Sequence, residues 1–175
     1  MTIRTHQLSE LIKEMNKKEL SSFLSRFKCS RSTDSERFLR EVSVMHDKKD
    51  ISRTHLIVDS EEDKILGYFT LALKCLSLNE CDLSKSTVEL MNLNEGVAQA
   101  YLIGQLAKAD DAASGLGKRM LDEALKAFID GKRKFGCRMV RLDCKDELID
   151  YYVSYGFQHI RRNHEKDLNQ MAIFI

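Results

Sequence analysis

The chain has 175 residues, with 28 Lys and Arg against 27 Asp and Glu, so its formal net charge is +1. Hydrophobic residues at 43% and charged residues at 31% suffice for one buried core and exclude a disordered chain. The charge balance lacks the bias of a strongly cationic nucleic-acid binder, and no apolar run approaches the roughly 20 residues of a membrane helix. With no signal-peptide core at the N-terminus, a cytoplasmic protein without a membrane partner is expected. Cys29, Cys75, Cys81, Cys137 and Cys144 are odd in number and form no C-x-x-C, which fits a reduced compartment. The five histidines form no H-x-x-x-H pair, so no metal site is expected.

In chain order, residues 7–27 repeat Leu8, Leu11, Ile12, Met15, Leu20, Phe23, Leu24 and Phe27 at helical spacing. Caps in Ser30–Ser35 and the series Phe38, Leu39, Val42, Met45 predict a second helical stretch. Near residue 53 the pattern turns to strand: residues 54–58, a polar turn at 59–63, then 65–73, a hairpin. Residues 79–97 read as a polar connection with a short helix near 86–91, and 97–106 as a strand. Gly115-Leu116-Gly117 then opens a helix carrying Met120, Leu121, Ala124, Leu125, Phe128 and Ile129, with Gly131 as its expected C-cap. A buried strand over 137–144, a short helix over 146–155 closed by Gly156, and strands at 157–161 and 171–175 complete an α+β order.

The chemistry-bearing stretch runs from Ala100 to Glu123, where a strand enters a small-residue loop and the loop enters a helix. Amides at such a helix start have no acceptor, and the helix dipole adds positive potential, so the place suits a pyrophosphate. Glycines there let phosphates approach the backbone. A single G-x-G also serves as an ordinary tight turn, and neither a Walker motif nor a G-x-G-x-x-G fingerprint is present.

About 30 residues later, Tyr151-Tyr152-Val153-Ser154-Tyr155-Gly156-Phe157 closes a helix. Together, Gly115-Leu116-Gly117 and Tyr152 through Gly156-Phe157 resemble the GNAT superfamily of acetyl-CoA-dependent N-acetyltransferases over roughly residues 53–175. Phe27-Lys28-Cys29-Ser30, Phe38-Leu39, Ile65 through Leu71 and Gln105-Leu106-Ala107 look more loosely like the subgroup of tRNA-acetylating toxins. The resemblance implies one domain over 1–175, with a helical part at 1–50 and a cofactor-binding core at 53–175. Its sheet would be mixed and mostly antiparallel, flanked by helices and splayed to admit the cofactor.

It further implies direct acetyl transfer from acetyl-CoA to a primary amine. Backbone groups of Leu106, Ala107 and Lys108 would pair with the pantetheine arm. The cradle for the pyrophosphate would be Ala113, Ser114, Gly115, Leu116, Gly117 and Lys118. Tyr152 would act as general acid toward the departing thiolate. Ala112 and Ala113 stand where the family pattern has Gln or Arg and often Gly, so the loop would rely on amides, with Lys118, just inside the helix, as the compensating cation. No general base stands out among Glu95, Asp110, Asp111 and His55, and Cys144 offers a nucleophile or a core residue. Lys132-Arg133-Lys134, Arg138, Arg141 and Arg161-Arg162 read as a solvated face or as contacts for a coenzyme A phosphate or RNA backbone. The acceptor is left open between aminoacyl-tRNA and a polyamine or amino sugar drawn to Glu89, Glu95, Asp110 and Asp111. A homodimer and a catalytically decayed GNAT-fold binding protein are the remaining alternatives.

Overall fold

The computed structural model describes residues 2–78, 81–91 and 96–175. The chain starts with a strand, β1 (Ile3–Gln7), pairing antiparallel so that Ile3 faces Asp59 and Gln7 faces His55. The helices α1 (Leu8–Glu14) and α2 (Lys17–Ser25) follow. Asn16 caps α2 by accepting from the Lys18 and Glu19 amides at 3.0 Å each, and Glu19 accepts in return from the Asn16 amide at 3.3 Å. The second helical stretch begins earlier than its apolar series, as α3 (Thr33–Arg37), because the Ser32 hydroxyl accepts from the Ser35 amide. It passes through a π-helical turn at Phe38–Val42 into α4 (Ser43–Lys48).

The hairpin β2 (Arg53–Asp59) and β3 (Lys64–Ser77) turns through Asp63, whose φ is +49°. Then come α5 (Lys85–Glu89), β4 (Val97–Lys108), α6 (Leu116–Phe135), β5 (Met139–Cys144), a 3₁₀ turn at Asp146–Leu148, α7 (Ile149–Val153), β6 (Gln158–Asn163) and β7 (Leu168–Phe174). The strands form a seven-stranded, mixed and mostly antiparallel sheet in the order β1-β2-β3-β4-β5-β7-β6, an α+β architecture.

Gly131 does not end α6. A Cβ there would stand 3.0 Å from the Tyr101 hydroxyl, so the glycine makes room for a ring that stacks on Phe128 at 4.6 Å and donates to the Gly136 carbonyl at 2.8 Å. The helix continues to Phe135 and stops where Gly136 and Cys137 both take positive φ, +80° and +71°.

Contacts divide the chain into two compact units, Met1–Ala72 with Ile103–Lys126, and Leu73–Leu102 with Ala127–Ile175. The first has a core of Leu8, Leu20, Phe23, Leu24, Phe27, Leu39, Leu56 and Tyr68. Tyr68 is wholly buried: its hydroxyl donates to the Ser35 carbonyl at 2.6 Å and Phe27 meets its ring edge-on at 5.4 Å. Burial without a charged partner holds this phenol far above the ordinary tyrosine range. The second unit has a core of Leu76, Ala98, Ala100, Met139, Ile160 and Ala172.

Candidate functional site

In the first unit, β4 leaves the sheet under tight restraint. The Ala109 amide donates to Leu66 at 2.8 Å and the Asp110 amide to Lys28 at 3.1 Å. The Asp110 carboxylate then accepts from the Ser30 amide at 2.9 and 3.1 Å and from the Ser30 hydroxyl at 2.8 Å. Asp110 is therefore an anchor for the loop. Asp111 is ion-paired with Lys64, whose ammonium holds this carboxyl below the usual carboxylate range. Ala112 donates from its amide to Ala109 at 3.1 Å and packs its methyl against the core. A Gln or Arg side chain at this inward position would have to displace that packing, which accounts for the small residue.

Beyond this anchor Ala113, Ser114 and Gly115 are exposed. Gly115 has φ +85° with open space where a Cβ would be, so its requirement for glycine is one of backbone conformation alone. The first backbone bond of α6 runs from the Arg119 amide to the Gly115 carbonyl at 3.2 Å. The amides of Leu116, Gly117 and Lys118 precede it and have no acceptor within the helix. No acidic residue lies in the first turn, while Lys132, Arg133 and Lys134 crowd the last. A twenty-residue helix thus presents an uncompensated positive end at the loop. Lys118 forms an ion pair with Asp122 at 2.7 Å.

One residue of this arrangement was not singled out by sequence reasoning. A Cβ on Gly67 would lie 2.8 Å from Met120 Sδ, 3.0 Å from the Ala107 carbonyl and 3.3 Å from Leu116. Gly67 therefore lets the start of α6 and the end of β4 close onto β3. Its signal was present in the Leu66-Gly67-Tyr68-Phe69 strand, where a glycine inside an apolar run marks a close approach. On β4, Ala107 is buried, while Leu106 and Lys108 are half-buried. Lys108 Nζ lies 3.5 Å from the Ala112 carbonyl. Gln105 accepts from the Ser35 hydroxyl at 2.8 Å through its side chain. Acceptor-free amides, a glycine in the left-handed region and a carboxylate-free first turn fit a diphosphate.

In the second unit, Tyr152 lies on α7 and is 6% exposed, edge-on to Tyr151 at 5.2 Å and to Phe157 at 5.7 Å. Its position is fixed by the turn that ends α7. The Tyr155 and Phe157 amides both donate to the Tyr152 carbonyl, at 3.0 and 3.1 Å, and Gly156 takes φ +87°. Burial, with lesser contributions from the Cys144 thiol and Tyr151, keeps the phenol above its ordinary range, so it stays protonated. Among the described residues its hydroxyl makes no hydrogen bond. Cys144 is buried on β5, and burial together with Asp143, Asp146 and Glu147 pushes its thiol up to about 11, which leaves little thiolate at neutral pH.

The remaining candidates are dispersed. His55 stacks on Phe69 at 4.9 Å and burial lowers its pKa. Glu95 lies outside the described residues. Several members of the basic run have local partners: Lys132 bonds the Ile175 carbonyl, Arg133 pairs with Asp130 at 3.2 Å, and Arg162 bridges Asp146 at 2.6 Å and Asp167 at 2.5 Å. Arg161 donates to Gln170 at 2.6 Å and to the Ser77 carbonyl at 3.1 Å. All five cysteines are free thiols. Among the described residues no group of three or more His, Cys, Asp or Glu could hold a metal, and no helix is long and apolar enough to cross a membrane.

No protein-family model and no curated protein matches the chain. Solved structures do. The chain is similar to AtaT complexed with acetyl-methionyl-tRNAfMet, with a TM-score of 0.79 and 18% identity over 99% of this chain and 95% of that one. It is similar to a tyrosine-to-phenylalanine mutant of KacT, at TM-score 0.79 and 16% identity over 99% and 95%. It is also similar to AtaTR bound with acetyl-CoA, at TM-score 0.72 and 16% identity over 98% and 92%. The chain has the fold of these proteins across its full length.

Proposed function

We propose that this chain transfers the acetyl group of acetyl-CoA to the α-amine of an aminoacyl-tRNA. The observation that carries the reading is the loop entering α6. Anchored by Asp110 and Ser30 and packed through Gly67, it presents a row of amides free of helical acceptors to an anion. The choice of acceptor is supported by the likeness to AtaT complexed with acetyl-methionyl-tRNAfMet.

Acetyl-CoA, when bound, supplies the acetyl group as an activated thioester. The amides from Ala113 to Lys118 would hold its diphosphate. Backbone groups of Leu106, Ala107 and Lys108 would line its pantetheine arm, and one of their N–H groups would stabilise the negative charge that develops on the carbonyl oxygen. Tyr152 holds its proton at Oη across the neutral range and would donate a hydrogen bond to the departing sulfur. The aminoacyl α-amine is a weak base and is partly neutral near neutral pH, so the reaction does not require a dedicated base. This agrees with the binding of Asp110 and Asp111 in structural contacts.

The test is single-turnover acetylation of charged tRNA by the purified protein, with calorimetry for acetyl-CoA. The wild type should bind acetyl-CoA and form acetyl-aminoacyl-tRNA. Tyr152→Phe should retain the affinity and lose about 10²–10⁴-fold in rate. Acetyl-CoA binding without acetylation of any charged tRNA would refute the acceptor, and polyamines would be tried next. Absence of binding would refute the enzyme and leave a decayed fold.

A further inference from the structure

The apolar stripe of α6 runs on past the core that it covers. Leu121, Ala124 and Phe128 recur at helical spacing and are buried, and Gly131 continues the series by admitting the Tyr101 ring. The next position is Phe135, seven residues after Phe128, and it is 86% exposed against 4% for Phe128. Among the described residues no other large hydrophobic side chain is so exposed. Its surroundings are cationic: residues 131–142 hold Lys132, Arg133, Lys134, Arg138 and Arg141 and no acid. Lys132, Arg133, Lys134 and Arg138 are all exposed. Lys132 bonds the Ile175 carbonyl and Arg133 pairs with Asp130, whereas Lys134 and Arg138 have no ion pair among the described residues.

Cations in a last helical turn offset the helix dipole, which accounts for Lys132 to Lys134 but not for Arg138 beyond the helix or for a bare ring among them. No charged group of coenzyme A reaches this end. The 20 residues of α6 rise about 1.5 Å each, which puts Phe135 about 30 Å along the helix from the loop that would hold the diphosphate. In coenzyme A the 3′-phosphate sits on the ribose esterified to that diphosphate, so it stays beside the loop. A membrane surface calls for an apolar face of several side chains, and here there is one ring. A flat ring set among exposed cations complements a polymer that alternates phosphates with flat bases.

We infer that the C-terminal end of α6 grips the RNA of the acceptor: Phe135 stacks on an unpaired base while Lys134 and Arg138 contact neighbouring phosphates. The inference rests on the proposed acyl transfer to aminoacyl-tRNA and names where this chain holds the RNA of that substrate. Stacking on an aromatic side chain tolerates any base, since every base has a flat face, so this surface binds RNA without reading its sequence. A tRNA is long enough to engage both ends of α6 at once. A polyamine is itself cationic and gains nothing from this surface, so the patch also separates the two classes of acceptor.

The experiment is fluorescence anisotropy with 5′-labelled, deacylated tRNAfMet across a salt series, with charged-tRNA acetylation and acetyl-CoA calorimetry in parallel. Phe135→Ala should weaken tRNA binding by about fivefold or more at every salt concentration and leave the slope of log K against log salt unchanged. Phe135→Tyr keeps the ring and should bind like the wild type. Lys134→Gln/Arg138→Gln should make the salt slope shallower by about 1–2, as expected for two lost phosphate contacts. Phe135→Ala and the double variant should keep wild-type Tm and acetyl-CoA affinity, and should raise KM for charged tRNA without lowering kcat. Lys17→Gln/Lys18→Gln removes the same charge from exposed positions on α2 and should leave tRNA binding unchanged. Equal weakening there reduces the effect to net charge and overturns the inference. Wild-type tRNA binding in Phe135→Ala and in Lys134→Gln/Arg138→Gln also overturns it and leaves the transferase reading intact. Binding that weakens in those variants, with no acetylation of any charged tRNA, supports the RNA surface and overturns the transferase reading. A wild type that binds no tRNA overturns the inference.

Discussion

Gly67→Ala adds one methyl group where β3 meets the start of α6. That carbon would stand 2.8 Å from Met120 Sδ and 3.0 Å from the Ala107 carbonyl, with Leu116 at 3.3 Å. Met120 is fully buried and Leu116 is 6% exposed, so neither side chain can swing into solvent. The backbone oxygen moves only if β4 moves. Relief must therefore come from shifting the first turn of α6 away from β3, carrying the amides of Leu116, Gly117 and Lys118 with it. Overpacking of this kind costs about 1–3 kcal/mol, and at about 2 kcal/mol a chain of this length loses about 4–8 °C of Tm. Displacing even one amide from an anion weakens binding by about tenfold. The assay is thermal unfolding paired with acetyl-CoA calorimetry, with Gly131→Ala as control. Gly131→Ala presses a Cβ to 3.0 Å from the Tyr101 hydroxyl, so it should cost stability without changing affinity. If Gly67→Ala keeps wild-type Tm and affinity, the claim that this glycine seats the helix is wrong.

Gly115→Ala meets no atom within 4 Å but imposes φ +85° on a residue with a Cβ, so it should cost about 1–2 kcal/mol in unfolding titrations, a loss that Asn at the same position should partly recover. The phenols of Tyr68 and Tyr152 are both raised by burial, so the folded chain keeps protons that the unfolded chain releases above about pH 10. Stability should accordingly fall as pH climbs past that point and be insensitive to these groups below it; in Tyr152→Phe the alkaline fall should be shallower, and an unchanged slope would contradict the assignment. Iodoacetamide at about pH 8 should alkylate exposed Cys75 well before buried Cys144 and leave acetyl transfer intact. Activity lost in step with Cys144 modification would instead restore a cysteine nucleophile.

The helical and strand periodicities of this chain were readable where a single apolar face decides the structure. In the α6 series Met120, Leu121, Ala124 and Phe128 are buried as their spacing predicts, while Leu125 is half-buried and Ile129 is exposed at the flank of the face. β1 was not readable, because Ile3–Gln7 is half-buried or exposed throughout and is held by backbone pairing to β2. Gly131 looked like a helix stop because sequence cannot tell a glycine that ends a helix from one that admits a ring. The loop and Tyr152 were singled out through resemblance to a known pattern, whereas Gly67 acts only through its distance to Met120 and Ala107. Asp110 is a loop acid that looked free and is fully engaged by Ser30.

The short edge strand β1 also bears on the solubility of the protein. It occupies the outer edge of β2, whose Leu56, Ile57 and Val58 form an apolar, β-prone run, and it presents Arg4 and His6 along the rim. A preparation lacking residues 1–7 would expose the backbone of that run to other copies of itself. Such a preparation should form concentration-dependent, sheet-rich precipitate, and in this sense the first strand acts as a guard against amyloid-like association.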